Sequence, residues 1–339
     1  MKDIKEDDDD NYLASSATYT VMRGSGSRMP LLKALFDAAD IPSEIALIRH
    51  IAAIRDLSIP TENYGDYFLP ALVVETETGP AYIQTFEDII PFDYLPPEVQ
   101  GLDMIPLDAD QPITQTRRDA FDDLAVSVNV QYDVLPDGDA RATSTEVTQS
   151  NRGLRMRYIL SQAEGDDEMI HRIIENSLAR SYGRIRLNEF KYEDLKSFTK
   201  PLTIKYQFDI GNMATVNEDS MLVHASFLAY QLTSRYAALG QRRTPLVISD
   251  PTTAKRDLTF QLPEGYVFEK PETEHLVLNE PFGRFERHYT WEGRTLRIHE
   301  VIDIRPIIIQ PEDYDAFRKF CVKVDGVQNT NFAAKRTDS

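Results

Sequence analysis

The feature that most constrains the fold is a series of short alternating segments in the second half of the chain. Apolar and polar residues alternate over 125–134 and 140–149, with a Pro-Asp-Gly-Asp turn between them. This pattern is typical of a β-hairpin. Similar segments follow at 202–210, 245–249, 256–262, 275–278, 284–291 and 295–304, and one helix with Asp166 as its N-cap interrupts them. The sequence therefore predicts a mainly antiparallel β-sandwich over residues 111–310.

A C-terminal helix is predicted over residues 311–326. Pro311 and two acids open it, which suits the first turn of a helix. Its apolar residues form one stripe: Tyr314, Phe317, Cys321 and Val324. We expect the stripe to dock on the sandwich near the strand that precedes it. In the alternative, Tyr314, Phe317 and Val324 form an interaction surface for another chain. The polar residues 327–339 are predicted to be a disordered tail.

The first part of the chain contains a glycine–serine loop that leads into an apolar helix. Gly24 and Gly26 flank Ser25, and leucines follow at helical spacing. Unpaired N–H groups and the helix dipole favour negative charge at such a helix start, and enzymes often place a nucleophile there. The available nucleophiles are Ser25 and Ser27. Two strands near 69–74 and 80–85 complete a predicted α+β unit over 23–110. The fold class expected for the whole chain is therefore α+β.

Composition limits the classes of function. The 339 residues contain 37 Lys and Arg against 55 Asp and Glu, so the formal net charge is −18. This charge argues against binding to a nucleic-acid backbone. Cys321 is the single cysteine, so no internal disulfide can form. No segment is apolar enough to span a membrane, and the acidic residues 1–22 lack the apolar core of a signal peptide. The chain as given is expected to be cytoplasmic, or exported if it is part of a longer precursor.

Two segments carry a resemblance to a known family. The glycine loop and the sequence L-L-K-A-L-F-D-A-A-D-I-P (31–42) resemble the nucleophile helix of the bacterial transglutaminase-like family, a branch of the papain-like fold. The loop P-F-D-Y-L-P-P-E-V-Q-G (91–101) is similar to the segment after the catalytic aspartate strand in one subgroup with a flanking β-rich domain of unknown function. The resemblance covers residues 23–326. It implies a papain-like core, and because the family normally has more sequence before the nucleophile helix, the chain is expected to be a truncated relative or the back part of the family's full length.

The resemblance also implies where a Cys-His-Asp triad would lie. Counting back from the leucines puts the cysteine position on Ser25. The local match to the histidine motif is Phe68-Leu69-Pro70, and the match to the aspartate strand is Tyr82-Ile83-Gln84. The three positions thus fall on Ser25, Pro70 and Gln84. Proline cannot act as a base and glutamine carries no charge, so we expect a pseudoenzyme. An alternative is a hydrolase that uses Ser25 or Ser27 with help from His50.

Three hypotheses follow for the function. In the first, the protein is a non-catalytic binding or structural module that contacts other proteins. In the second, it is a subunit of a larger surface or multi-protein assembly. The third is the hydrolase or acyltransferase that uses Ser25. No metal-ligand spacing and no phosphate-binding loop occur in the sequence, so no cofactor or metal is expected. The expected partners are unidentified proteins.

Overall fold

The computed structural model describes residues 4, 16–53, 67–85, 90–108, 110, 112–148, 151–197, 199–225, 227, 229–271 and 274–337. Most of the predicted acidic segment 1–22 lies outside these residues. The chain divides into two compact units, Met1–Asp119 and Ala120–Ser339. Both combine helices with antiparallel strands, so the α+β fold class is confirmed. No described helix is long and apolar enough to cross a membrane.

The first unit is a five-stranded sheet with two helices before it. Its strand order is β3-β2-β1-β4-β5, and all pairs are antiparallel. The elements are α1 (Ala17–Arg23), α2 (Arg28–Ala38), β1 (Ser43–Arg49), β2 (Tyr67–Thr76), β3 (Gly79–Ile83), β4 (Asp103–Pro106) and β5 (Thr114–Gln115). Helix α2 packs on the strands: Met29 lies in one apolar cluster with Leu72 and Val74.

The opposite face of this sheet is covered by the proline-rich loop. Leu95 and Val99 of the loop are fully buried against Val73 and Tyr82. Asp93 fixes the start of the loop, because its carboxylate accepts the Tyr82 N–H at 3.0 Å and pairs with the guanidinium of Arg117. Successive side chains of a strand point to opposite faces of the sheet. Leu72 and Val73 of β2 therefore belong to two separate apolar clusters, one on each face.

The second unit contains an eight-stranded and a four-stranded sheet. The larger has the order β15-β16-β17-β13-β6-β7-β9-β8 and the smaller β10-β11-β19-β14. The strands are β6 (Val126–Val134), β7 (Ala140–Thr148), β8 (Ile185–Glu193), β9 (Leu202–Ile210), β10 (Ala214–Val216), β11 (Ser220–Val223), β12 (Leu246–Ile248), β13 (Thr252–Gln261), β14 (Tyr266–Phe268), β15 (His275–Glu280), β16 (Gly283–Glu292), β17 (Thr295–Ile304), β18 (Ile307–Ile309) and β19 (Phe332–Arg336). The helices are α3 (Phe121–Leu124), α4 (Asn151–Gln162), α5 (Asp167–Tyr182), α6 (Leu232–Tyr236) and α7 (Tyr314–Gln328).

The two sheets share one core, which is the arrangement of a sandwich. Phe332 of the smaller sheet packs between Phe260 and Tyr289 of the larger, with ring centroids 5.7 and 6.0 Å apart. The pairing of β13 with β6 is parallel, whereas the other pairs in the larger sheet are antiparallel. The unit is thus mainly antiparallel, with one parallel seam between its halves.

The prediction of a disordered tail over 327–339 is wrong for most of that segment. Residues 327 and 328 belong to α7, and β19 pairs with both β11 and β14. Phe332 and Ala334 point into the sandwich core and are 6% and 2% exposed. This alternation is short and follows a polar stretch, so its burial depends on the two partner strands. Residues 338 and 339 lie outside the described part of the chain.

Helix α4 was not predicted from the sequence, because its buried face lacks a continuous stripe of apolar residues. The buried positions are Gly153, Arg157 and Leu160, so a glycine and an arginine stand in the stripe where apolar residues are expected. The Arg157 guanidinium donates to the backbone carbonyls of Asp194 and Lys200, and to that of Leu195. Burial lowers the pKa of Arg157. The arginine thereby holds the loop before β9 against the helix.

Helix α7 docks on the sandwich unit, as predicted. Its stripe residues Tyr314, Phe317, Cys321 and Val324 are at most 1% exposed. They pack in one cluster with Ile302 and Ile304 of β17 and Ile309 of β18. The alternative, in which Tyr314, Phe317 and Val324 form an interaction surface, is therefore wrong, because these side chains are inside the unit.

Charged side chains lie in one row across the inner face of the larger sheet. Arg287 of β16 is opposite Glu300 of β17, which is opposite Arg256 of β13. Glu146 of β7 lies on the same row, beyond Val128 of β6. Arg287 and Glu300 are both fully buried, and the Arg287 Nε–Glu300 Oε2 distance is 2.8 Å. Removing two charged groups from water costs free energy, which their mutual attraction must offset. Loss of either partner would therefore leave a buried charge without compensation.

We expect Glu300→Gln to destabilise the second unit by about 3–5 kcal/mol, because it leaves Arg287 buried without its counter-charge. Urea unfolding followed by the fluorescence of Trp291, the single tryptophan, reports on this unit. The matched control is Glu168→Gln, which removes an exposed pair with Arg172 on α5 and should change stability by less than about 0.5 kcal/mol. Equal effects of the two substitutions would contradict a stabilising role for the buried row.

Two valines on α7 give a matched test of the docked helix. Val324 is fully buried and Val322 is 45% exposed. We expect Val324→Ala to cost about 2 kcal/mol, since it removes buried methyl groups and leaves a cavity. Val322→Ala should cost less than about 0.5 kcal/mol. The same fluorescence measurement applies, and a loss of stability in both variants would show that the helix does not pack as described.

Candidate functional site

The three predicted triad positions are placed on elements of the first unit, but they carry no catalytic set. Ser25 is half-buried in the loop between α1 and α2. Pro70 is buried within β2 and lies opposite Leu47 of β1. Gln84 directly follows β3 and is 6% exposed. Among the described residues, neither amide atom of Gln84 has a hydrogen-bond partner, and no hydrogen bond joins the three positions. None of the three can take up a proton near neutral pH.

The alternative serine–histidine arrangement is not assembled either. Ser27 is 1% exposed, and its hydroxyl has no hydrogen-bond partner in the described part of the chain. His50 follows β1, where its Nδ1 accepts the N–H of Ala52 at 3.0 Å. That ring nitrogen is therefore engaged in a local turn, and no hydrogen bond between His50 and either serine is found among the described residues.

Other candidate groups are located in structural positions. Cys321 is fully buried, and burial raises the pKa of its thiol to about 12. His288 and His299 are opposite each other on the exposed face of the larger sheet. Within the described residues, no group of three or more His, Cys, Asp or Glu side chains is positioned to hold a metal ion.

A groove of about 800 Å³ lies in the second unit. We call it the α5–α7 groove. Four segments line it: the C-terminal end of α5 (180–183), the turn after β9 (210–213), parts of the segment 224–238, and Asp325 with Asn329 near the end of α7. Its volume is typical of a ligand-binding site. Sequence analysis did not identify it, because its walls come from segments more than a hundred residues apart.

One carboxylate builds a wall of this groove. The two oxygens of Asp325 accept the backbone N–H groups of Leu232 and Thr233 at 2.9 and 2.7 Å. Asp325 therefore caps the start of α6 from a different helix, which satisfies N–H groups that a helix start leaves unpaired. Gln231, the residue before α6, has a φ of 55° in the left-handed region. The cap thus holds a strained turn at the edge of the groove.

Aromatic rings form the apolar part of the groove. The rings of Tyr182 and Phe227 have centroids 5.0 Å apart, and both residues line the groove. The Tyr182 hydroxyl is paired with the Tyr132 hydroxyl at 2.9 Å. Burial raises the pKa of Tyr182, so its hydroxyl stays protonated across the physiological range. This part of the site therefore offers a neutral aromatic surface.

The polar groups that line the groove differ in whether they already have a hydrogen-bond partner within the protein. His224 shares a hydrogen bond of 2.8 Å with the Thr215 hydroxyl. Arg180 is exposed in the last turn of α5, and no hydrogen bond or ion pair of its guanidinium is found among the described residues. The Thr233 hydroxyl is buried and has no partner within the described residues, so it is not accessible to a ligand in the open groove. Among the described lining residues, the guanidinium of Arg180 is the cation that a ligand can use.

Comparison with protein families matches residues 219–333 to DUF3858, a domain of unknown function with a solved structure. This segment is less than half of the chain and includes all of the residues from 224 to 329 that line the α5–α7 groove. No curated protein matches the chain. A solved structure of a "putative protease" from Parabacteroides distasonis ATCC 8503 is similar at 13% identity with a TM-score of 0.47. The match covers 94% of this chain and 46% of that one, so the chain spans less than half of the other protein's length.

We expect Cys321 to be unreactive in the folded protein. Its thiol is buried in the α7 cluster and its pKa is raised to about 12, so almost no thiolate exists near neutral pH. A disulfide-exchange reagent should react with it only when guanidinium unfolds the chain. The unfolded chain is the control for reagent activity, and rapid labelling of the native protein would show that α7 opens readily.

Proposed function

We propose that this protein is a non-catalytic member of the transglutaminase-like class that acts as a binding module for other proteins. The observation that carries the proposal is Pro70 at the position where the resemblance places the catalytic base. Its side chain cannot exchange a proton, and its backbone is committed to the pair with β1. Loss of nucleophile and base together removes on the order of 10⁶-fold in rate from a triad enzyme.

Two further observations support the proposal. Gln84 at the aspartate position is neutral and buried, so it cannot stabilise an imidazolium. The α5–α7 groove is located in the second unit, and its described residues form no pair of nucleophile and base: Ser181 and Ser234 line it, while His224 is bonded to Thr215. A groove with an aromatic surface and polar rim is suited to binding without chemistry.

We expect no covalent labelling by a fluorophosphonate serine probe and no turnover of amide substrates above background. Ser25→Ala should leave both the probe result and thermal stability unchanged. Ser25→Cys should also give no turnover, because no base stands at Pro70. The measurement is intact-mass analysis after incubation, with a known serine hydrolase as the positive control. An acyl-enzyme on Ser25 or Ser27 in the unmodified protein would refute the proposal and favour the hydrolase.

A further inference from the structure

The charge of the α5–α7 groove differs from that of the whole chain. The chain carries a net charge of −18, yet the groove contains a guanidinium, from Arg180, that has no partner among the described residues. The acid that lines the groove, Asp325, has both oxygens engaged by the backbone of α6. A ligand in the groove therefore meets an available cation and a carboxylate that is already satisfied.

An anionic group on the ligand is favoured for this reason. A guanidinium donates several N–H groups in a planar fork that matches a carboxylate. A basic residue in the last turn also complements the dipole of α5, but that interaction leaves its N–H groups in solvent. Phosphate-binding sites combine several donors, whereas one guanidinium matches the single charge of a carboxylate.

The remainder of the groove is suited to an apolar side chain. Tyr182 and Phe227 supply aromatic faces, because the Tyr182 hydroxyl is turned to Tyr132. A peptide with an acidic group next to an apolar residue combines both features within a few atoms: a carboxylate and an apolar side chain.

We propose that the α5–α7 groove binds a peptide segment of a partner protein that presents a carboxylate beside an aromatic or branched apolar side chain. Arg180 binds the carboxylate, and the rings of Tyr182 and Phe227 contact the apolar side chain. The proposal rests on the binding function given above and names the ligand class.

Matched small probes test this chemistry. N-acetyl-phenylalanine and its C-terminal amide differ only in the charge of one group, and binding of each is measured by saturation-transfer NMR with the full chain. We expect the carboxylate to bind about threefold more tightly at low salt, since an ion pair with an exposed guanidinium is worth less than about 1 kcal/mol. The preference should decrease as salt rises, because the site is at the surface. A second pair, N-acetyl-Phe-Glu-amide and N-acetyl-Phe-Gln-amide, tests whether a side-chain carboxylate is accepted in place of a terminal one.

Two variants test the role of the guanidinium. Arg180→Gln should abolish the preference for the carboxylate, whereas Arg172→Gln, on the exposed surface of the same helix, should retain it.

The result that overturns the inference is equal binding of the charged and neutral probes, absence of binding by all four, or a preference that persists in Arg180→Gln. These outcomes are independent of the catalytic test. A protein that fails here but shows no acyl-enzyme remains non-catalytic with a different ligand. A protein that is labelled at Ser25 but binds the carboxylate probes retains the groove assignment and loses the non-catalytic one.

Discussion

The buried ion pair between Arg287 and Glu300 is the interaction on which the second unit and its groove depend. Both side chains are removed from water, so they require further partners. The end of α7 supplies them: Arg287 donates to the carbonyl of Val327 at 2.9 Å, and the Gln328 amide donates to Glu300 at 3.0 and 3.1 Å. The apolar stripe holds the body of α7, while the charge row fixes where the helix ends.

The position of that helix end decides the shape of the candidate site. Gln328 also accepts the N–H of Tyr230 at 3.0 Å, and the ring of Tyr230 lies 3.8 Å from the guanidinium carbon of Arg256. Asp325, one turn before the end of α7, caps α6. The C-terminal end of α7 is therefore connected to the row of buried charges, to the segment that contains Tyr230 and to the wall of the α5–α7 groove. Strain at Gln231 is maintained because these contacts over-determine the turn.

The core of the first unit is packed, while no hydrogen bond among the described residues joins Ser25, Pro70 and Gln84. Met29 of α2 packs against Leu72 and Val74, and the loop after β3 is anchored by Asp93 and Arg117. The apolar contacts that hold a helix on a sheet do not depend on catalytic residues, so a fold can persist when those residues are replaced. On the proposed function, this unit serves as a scaffold, and binding belongs to the second unit.

The sequence alone determined the local elements. The alternation in β6, β7, β16 and β17, the leucine spacing of α2 and the apolar stripe of α7 were all predicted, because each depends on a short-range period that burial of one face imposes. Tertiary structure alone decided the parallel pairing of β13 with β6, the burial of Arg157 in α4 and the pairing of β19 with two distant strands. It also decided the α5–α7 groove. These features arise from contacts between segments far apart in the chain, where residues such as Arg157, Glu300 and Asp325 look like solvated charges until their partners are in place.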